Sequence, residues 1–251
     1  MIDVASNASP APERPGRRKG ERPSGNPPPP EAAPFYGRRH GKTLREHHAS
    51  LMETLLPHLS VPAGQIDLAD LFGREVGGYR LEIGFGGGEH LAQRAGENPE
   101  VGFIGCEPFV NGVAKALALV EENNLANVRI HANDAGRLID RLPTGAIARV
   151  DLLYPDPWPK RRQNKRRFVS DQMLKRLARV LPSGGLFCFA TDIDDYAAWT
   201  LARIARSPDF AWAAQAGADW LAPWQGWRST RYEQKARREG RPSGYFTFVR
   251  R

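Results

Sequence analysis

From Tyr79 to Arg250, short apolar runs alternate with amphipathic stretches, and this alternation constrains the fold more than any other feature. The apolar runs are YRLEIG (79–84), VGFIGCE (101–107), NVRIHAND (127–134), RVDLLYPD (149–156), GLFCFATD (185–192) and short segments near 209–213 and 244–250. Each has the length of a strand. Between them, Phe109, Val113, Leu117 and Val120 recur at helical spacing, as do Val169, Met173, Leu174, Leu177 and Val180. A helix is also expected from Gly86 to Arg94, and an Ala/Leu-rich one over 195–206. The second amphipathic stretch stops at Leu181-Pro182-Ser183-Gly184-Gly185, a Pro/Gly stop signal. Strand–helix alternation with apolar strands predicts an α/β chain with a doubly wound, mostly parallel, seven-stranded sheet. Ligands in such sheets bind at the carboxyl ends of the strands, so chemistry is sought there first.

The first strand runs into Leu81-Glu82-Ile83-Gly84-Phe85-Gly86-Gly87-Gly88-Glu89. Glycines at this place permit a tight turn and close approach of a ligand to backbone. A dinucleotide fingerprint would need glycine where Glu89 stands, and a pyrophosphate beside that carboxylate would be repelled; a nicotinamide or flavin cofactor is disfavoured. Glu107 ends the second strand and can accept from two ribose hydroxyls. Asn133-Asp134-Ala135 ends the third; Asp134 can accept from an adenine amino group, or cap the next helix, or do both. The fourth strand leads into Tyr154-Pro155-Asp156-Pro157-Trp158-Pro159-Lys160, followed by Arg161, Arg162, Gln163, Asn164, Lys165, Arg166 and Arg167. The prolines stiffen this loop and hold Asp156 at the end of a central strand. Trp158 offers an aromatic face, and the cations offer phosphate contacts.

Charge supports a polyanionic partner. Lys plus Arg total 36 against 28 acids, a net charge of +8. Six of the eight residues from Lys160 to Arg167 are basic, and residues 228–251 carry eight basic and two acidic side chains. Clustering of this kind favours nucleic acid. Nine of the 21 prolines fall in residues 1–34, a stretch without aromatics, which is expected to be a disordered tail; an RNA-contacting arm is the lesser reading. Residues 35–251 then form one domain, opening on a basic and helical entry. No run has the apolar length of a membrane helix, and the first residues lack a secretory core. Cys106 and Cys188 lie in strand-like runs, so a disulfide framework is excluded and a cytoplasmic location is expected. The histidines and cysteines show no metal-ligand spacing, so no metal is expected, and oligomeric state is left open.

Glu82-x-Gly84-x-Gly86 resembles the first motif of S-adenosylmethionine-dependent methyltransferases. PDPWPK with its basic run resembles the signature of the bacterial tRNA (guanine-N7-)-methyltransferase family. FYGRRHGKTLRE, LEIGFGGGEHL, GCEPFVNGV, NDA, ATDIDDYAAW and TRYEQKARREG resemble further family blocks in the same order, covering roughly residues 35–251. Two positions depart from the family's usual pattern: Gln163, where histidine is common, and Pro108 after Glu107, where valine is more usual. The first of these bears on one RNA contact.

The resemblance implies a Rossmann-like class I methyltransferase fold, S-adenosyl-L-methionine as cofactor and tRNA as partner. It implies that Glu82, Gly84, Gly86, Glu107, Asp134, Ala135 and Asp156 surround the cofactor, with Asp156 also the catalytic residue. Lys160, Asp192 and Thr230-Arg231-Tyr232-Glu233 are implied substrate contacts; Arg161, Arg162, Lys165, Arg166 and Arg167 are candidate phosphate contacts. Asp192 could instead cap a helix, and Glu233 could pair with Arg237 one turn on. The family's target is the guanine usually numbered 46 in the variable loop. Two other readings remain: an RNA amino-methyltransferase acting on adenine, whose loop has a second proline that this chain lacks, and a non-catalytic RNA-binding protein on the same fold.

Overall fold

The computed structural model describes residues 37–251; the expected tail of residues 1–34 and the first residues of the basic entry lie outside the described residues. Three helices precede the sheet: α1 (Glu46–Thr54), α2 (Leu56–Leu59) and α3 (Leu68–Phe72). There follow β1 (Tyr79–Ile83), α4 (Glu89–Glu97), β2 (Gly102–Cys106), α5 (Val110–Glu122), β3 (Val128–His131), α6 (Ala135–Arg141) and β4 (Arg149–Leu153). After a 3-10 turn at Arg161–Arg166 come α7 (Asp171–Val180), β5 (Leu186–Thr191), α8 (Asp194–Arg206), β6 (Phe210–Trp212), α9 (Ala218–Leu221), α10 (Arg231–Arg238) and β7 (Gly244–Arg250). The seven strands form one sheet in the order β3-β2-β1-β4-β5-β7-β6. Only β7 runs against its neighbours, β5 and β6. Order and direction agree with the doubly wound, mostly parallel sheet expected from the sequence.

Period-2 alternation sends side chains of one strand to two cores. Leu81 and Ile83 of β1 join Val150, Leu152, Phe187 and Phe189 against α6, α7 and α8. The opposite face packs Phe103, Val128 and Ile130 on Leu91, Val113 and Leu117 of α4 and α5, with Leu51 of α1. In α7, Leu174, Leu177 and Val180 are all at most 2% exposed. Burial of each contributes about 1.5–3 kcal/mol, enough to seat that helix without help from its polar face.

Local chemistry sets the helix ends that matter for the site. Gly86 and Gly88 take left-handed φ of 58° and 81°, so α4 opens at Glu89 rather than at Gly86. Asp134 caps α6 by accepting from the amides of Gly136 and Arg137. Ser170 caps α7 by accepting from Met173 N. Thr230 caps α10 by accepting from Glu233 N. The Thr-x-x-Glu spacing is therefore the first half of a capping box. The glutamate does not complete it, because its carboxylate is used elsewhere.

Candidate active site at the carboxyl ends of the strands

In-register pairing of Ile83 with Cys106, and of Cys106 with His131, brings the ends of β1, β2 and β3 to one edge of the sheet. Gly84 N donates to Cys106 O at 2.7 Å, which ties the glycine turn to β2. A side-chain carbon at Gly84 would meet nothing within 4 Å, so the turn opens onto free space. Glu107 is 8% exposed. Its Oε2 accepts from Gly86 N at 2.8 Å and its Oε1 from Phe109 N at 2.9 Å. Burial raises its pKa against the pull of those two amides, and Asp156 raises it further. A carboxylate has about four lone-pair positions, so after two amides Glu107 retains acceptor capacity for a diol. Asp134 holds its cap with one oxygen, leaving the other for a further donor. Ala135 is buried behind it. These groups fit the ribose and adenine of S-adenosylmethionine.

Glu82 is more enclosed than a simple ligand carboxylate. Its Oε2 meets His90 Nδ1 at 2.8 Å, and both side chains are 6% exposed. Burial lowers the pKa of His90, but the Glu82 carboxylate, with Asp151 behind it, raises it more, and the net direction is upward. The sequence reading missed His90. The signal was a histidine on the first turn of the helix that follows the glycines.

The loop after β4 is anchored from below by Arg167. Tyr154 and Trp158 both hold positive φ, at 50° and 43°, conformations that side-chain-bearing residues adopt only when their surroundings impose them. Arg167 Nε donates to Pro157 O at 2.8 Å, and its guanidinium lies 5.0 Å from the ring centres of both Tyr196 and Trp199. It also pairs with Asp195. The Arg167 side chain is 0% exposed. The expectation that Arg167 contacts RNA phosphate is therefore corrected: its charge is spent inside the protein, holding the loop. Arg161, Arg162, Lys165 and Lys160 are exposed on and beside the 3-10 turn. Arg166 stacks over Trp158 at 4.9 Å, so cation and indole form one surface. Asp156 is exposed at the crest of the loop. Its charge is felt by Glu107, Tyr232 and Tyr196, raising the pKa of each.

The C-terminal block folds over the same turn. A side-chain carbon at Gly86 would lie 3.8 Å from Tyr232 Cε2, and Tyr232 is 65% exposed. Arg231 pairs with Glu89 at 2.5 Å. Tyr232 and Arg231 are thus brought to the site, with Thr230 beside them as the cap. Glu233 is not free to meet substrate: it is 0% exposed, accepts from Trp227 Nε1 at 2.7 Å and from Tyr245 Oη at 2.6 Å, and pairs with Arg237. Glu233, expected as a substrate contact, anchors α10 from inside the protein, and its pairing with Arg237 agrees with the helical spacing. Asp192 does not cap α8; Thr191 Oγ1 accepts from Ile193 N instead, and Asp192 accepts from Arg241 Nε at 2.7 Å. Its side chain is 15% exposed, against 38% for Arg241.

A second strap comes from the N-terminal side. Val110 N donates to Arg39 O at 2.9 Å, and Asn111 bridges Gly41 N and Lys42 O at 2.7 Å each. Arg39 reaches Asn133 Oδ1 at 3.4 Å, next to Asp134. The basic entry is thereby laid along the start of α5, within reach of the cofactor edge.

Among the described residues, no helix is long and apolar enough to cross a membrane, and no group of three or more His, Cys, Asp or Glu is placed to hold a metal ion. Both cysteines are buried, and burial pushes the Cys188 thiol up to about 12.

Comparison with known proteins assigns the family. Residues 78–244 match a family model described as a putative methyltransferase. The chain is 56% identical over 220 residues to the tRNA (guanine-N(7)-)-methyltransferase of Agrobacterium fabrum, covering 86% of this chain and 95% of the relative. It is 54% identical to that of Rhodopseudomonas palustris, covering 86% of each, and 52% identical to that of Brucella anthropi, covering 88% and 96%. Among solved structures, the 16S rRNA methyltransferase KamB superposes with a TM-score of 0.52 at 16% identity, over 77% of this chain and 99% of that one. At that identity the likeness speaks for the class I methyltransferase fold alone. Relatives above half identity across nearly their full lengths carry the assignment: the chain belongs to the tRNA (guanine-N(7)-)-methyltransferase family.

Proposed function

We propose that this protein transfers a methyl group from S-adenosylmethionine to N7 of a guanine in tRNA, at position 46 of the variable loop. The observation that carries this reading is the meeting of Glu107 and Tyr232 at the glycine turn at Gly86, with the charge of Asp156 felt by both. The family relationship supplies the substrate class. A cytoplasmic setting accords with a tRNA substrate and with two buried, unpaired thiols.

When bound, S-adenosylmethionine supplies an electrophilic methyl on a sulfonium. Glu107 would accept from the ribose hydroxyls, and Asp134, with the amide of Ala135, would read the adenine edge. Glu82 would be the further acid on the cofactor side, held by His90. Guanine N7 carries a lone pair and no proton, so the protein need not remove one. Its task is to orient the ring in line with the methyl, which contributes several kcal/mol. Asp156, on its stiff loop, accepts from guanine N–H groups and offsets the positive charge that develops on the ring. Arg161, Arg162, Lys165 and Lys160 hold phosphates around it, and Arg166 with Trp158 offers a stacking face.

The test is to incubate the protein with labelled S-adenosylmethionine and unmodified tRNA, then locate the label by chain cleavage specific to N7-methylated guanine. Cleavage at position 46 supports the proposal. Label on an adenine amino group would replace it with the amino-methyltransferase reading. RNA binding without label would leave a non-catalytic protein.

A further inference from the structure

The face of the sheet that packs on α4 carries an unusual buried row. In register across four strands lie Glu82, Asp151, Cys188 and Thr247. Two carboxylates thus sit side by side on adjacent strands, 5% exposed each. Buried carboxylates need partners. Arg149 supplies one, reaching Asp151 at 2.7 Å. His90 supplies the other, at Glu82. Two indoles roof the row. Trp224 lies under the Arg149 guanidinium at 5.3 Å and donates to Thr247 Oγ1 at 2.9 Å. Trp227 packs its ring 5.1 Å from that of His90, at a 44° tilt.

From Trp227 the chain of contacts continues to the substrate side. Its Nε1 donates to Glu233 Oε2, and Glu233 is the anchor of α10. The same helix carries Tyr232 over Gly86 and Arg231 on Glu89. Glu89 is the residue before His90, on the first turn of α4. The two segments are therefore stapled twice, by an exposed ion pair and by a buried ring contact. The buried contact is the one that leads to Glu82.

We propose that His90 is a positioning residue that couples the cofactor carboxylate Glu82 to the substrate-bearing helix α10 through Trp227. This rests on the reading of Glu82 as a cofactor-side acid. One edge of the imidazole satisfies Glu82, while its face sets the indole whose N–H fixes Glu233. Ordering Glu82 by ligand then orders Tyr232 and Arg231, so cofactor binding prepares the place where guanine is received.

The two contacts of His90 can be separated. His90→Gln keeps a donor for Glu82 but removes the ring that meets Trp227. Trp227→Phe keeps a ring against His90 but removes the donor to Glu233. The experiment follows amide hydrogen exchange of residues 230–238 in the full chain, with and without saturating S-adenosylhomocysteine, and measures affinity for that ligand by calorimetry. In the wild type the ligand slows exchange across α10. In each variant the ligand still binds, within about threefold of wild type, but the slowing of exchange at α10 falls by about threefold or more, the scale expected for residues in direct contact. With tRNA, both variants raise KM and leave kcat nearly unaltered, and the double variant is no worse than the weaker single one. Undiminished ligand-induced protection in both variants would overturn the coupling and leave Tyr232 to hold α10 by itself; so would additive effects in the double variant. Failure of S-adenosylhomocysteine to bind the wild type would instead overturn the cofactor reading, and this inference with it.

Discussion

The Glu107 carboxylate accepts the amide of Gly86 at 2.8 Å, so the acid at the end of β2 closes the glycine turn that follows β1. The ribose of a bound cofactor would therefore meet an acceptor already held in place. Exclusion from water and the nearby Asp156 charge raise the pKa of Glu107.

That shift sets a pH dependence for the cofactor. Only the ionised carboxylate accepts from two hydroxyls while keeping both amides. Affinity for S-adenosylhomocysteine, measured without RNA, falls on acidification, beginning above the ordinary glutamate range of about 4.3. In Glu107→Gln the affinity is lower throughout and this dependence is gone. An identical pH profile in that variant would contradict the assignment.

His90 gives stability the opposite slope. Its folded pKa lies above its ordinary value because Glu82 and Asp151 outweigh burial and the opposing Arg149 charge. The stabilisation it supplies is fully present below about pH 6.5, the unfolded pKa, and is lost as pH rises through the folded value. Denaturant unfolding of wild type minus His90→Gln should shrink over that interval. A difference that stays constant with pH would mean that His90 titrates alike in the folded and unfolded chain, and one that grows with pH would mean that it is held neutral in the fold.

The exposed cations beside the loop govern the salt dependence of RNA binding. Replacing Arg161, Arg162 and Lys165 together with alanine lowers the slope of log affinity against log salt by about 2–3, since each phosphate contact adds about 0.7–0.9. Cofactor affinity is unaltered. An unchanged slope would move the RNA surface elsewhere.

Arg167 behaves differently from its neighbours in the basic run. Arg167→Ala removes the donor to Pro157 O and two aromatic contacts. The Asp195 side chain it leaves behind is 69% exposed and can be rehydrated. The loss of stability is therefore about 1–3 kcal/mol, the range for an unsatisfied buried group, read by denaturant unfolding. Its effect on the salt slope is nil. A salt-slope change without destabilisation would restore Arg167 to the RNA surface.

The contrast between these cations marks the limit of what the chain alone discloses. The sheet was legible because apolar runs of strand length alternate with helical periodicity, and the three strand-end acids were legible because ligands gather at those ends. Asp134 was readable as both cap and ligand, and the structure shows the cap directly. A run of six cations does not disclose which one turns inward; Arg167 does so because Tyr196 and Trp199 lie one element away in space but about thirty residues on in sequence. The enclosure of Glu233 was hidden for a related reason. Its partners Trp227 and Tyr245 flank α10 on both sides, and no local pattern joins them. His90 escaped notice because its neighbours one and two turns on, Gln93, Arg94 and Glu97, read as a solvated face until Glu82 is seen opposite it.

The proposed function turns on Asp156, held on the stiff loop after β4, acting on the guanine. Asp156→Asn keeps the shape but removes the charge and turns one acceptor into a donor. The side chain is exposed, so folding persists. The measurement is single-turnover methyl transfer to unmodified tRNA with enzyme and cofactor saturating. The predicted result is a rate lower by about 10²-fold or more, the scale of losing one preorganised electrostatic contact, with a wild-type rate that is flat in pH through neutrality. A near wild-type rate in Asp156→Asn, or a wild-type rate that keeps climbing with pH through neutrality, would contradict it.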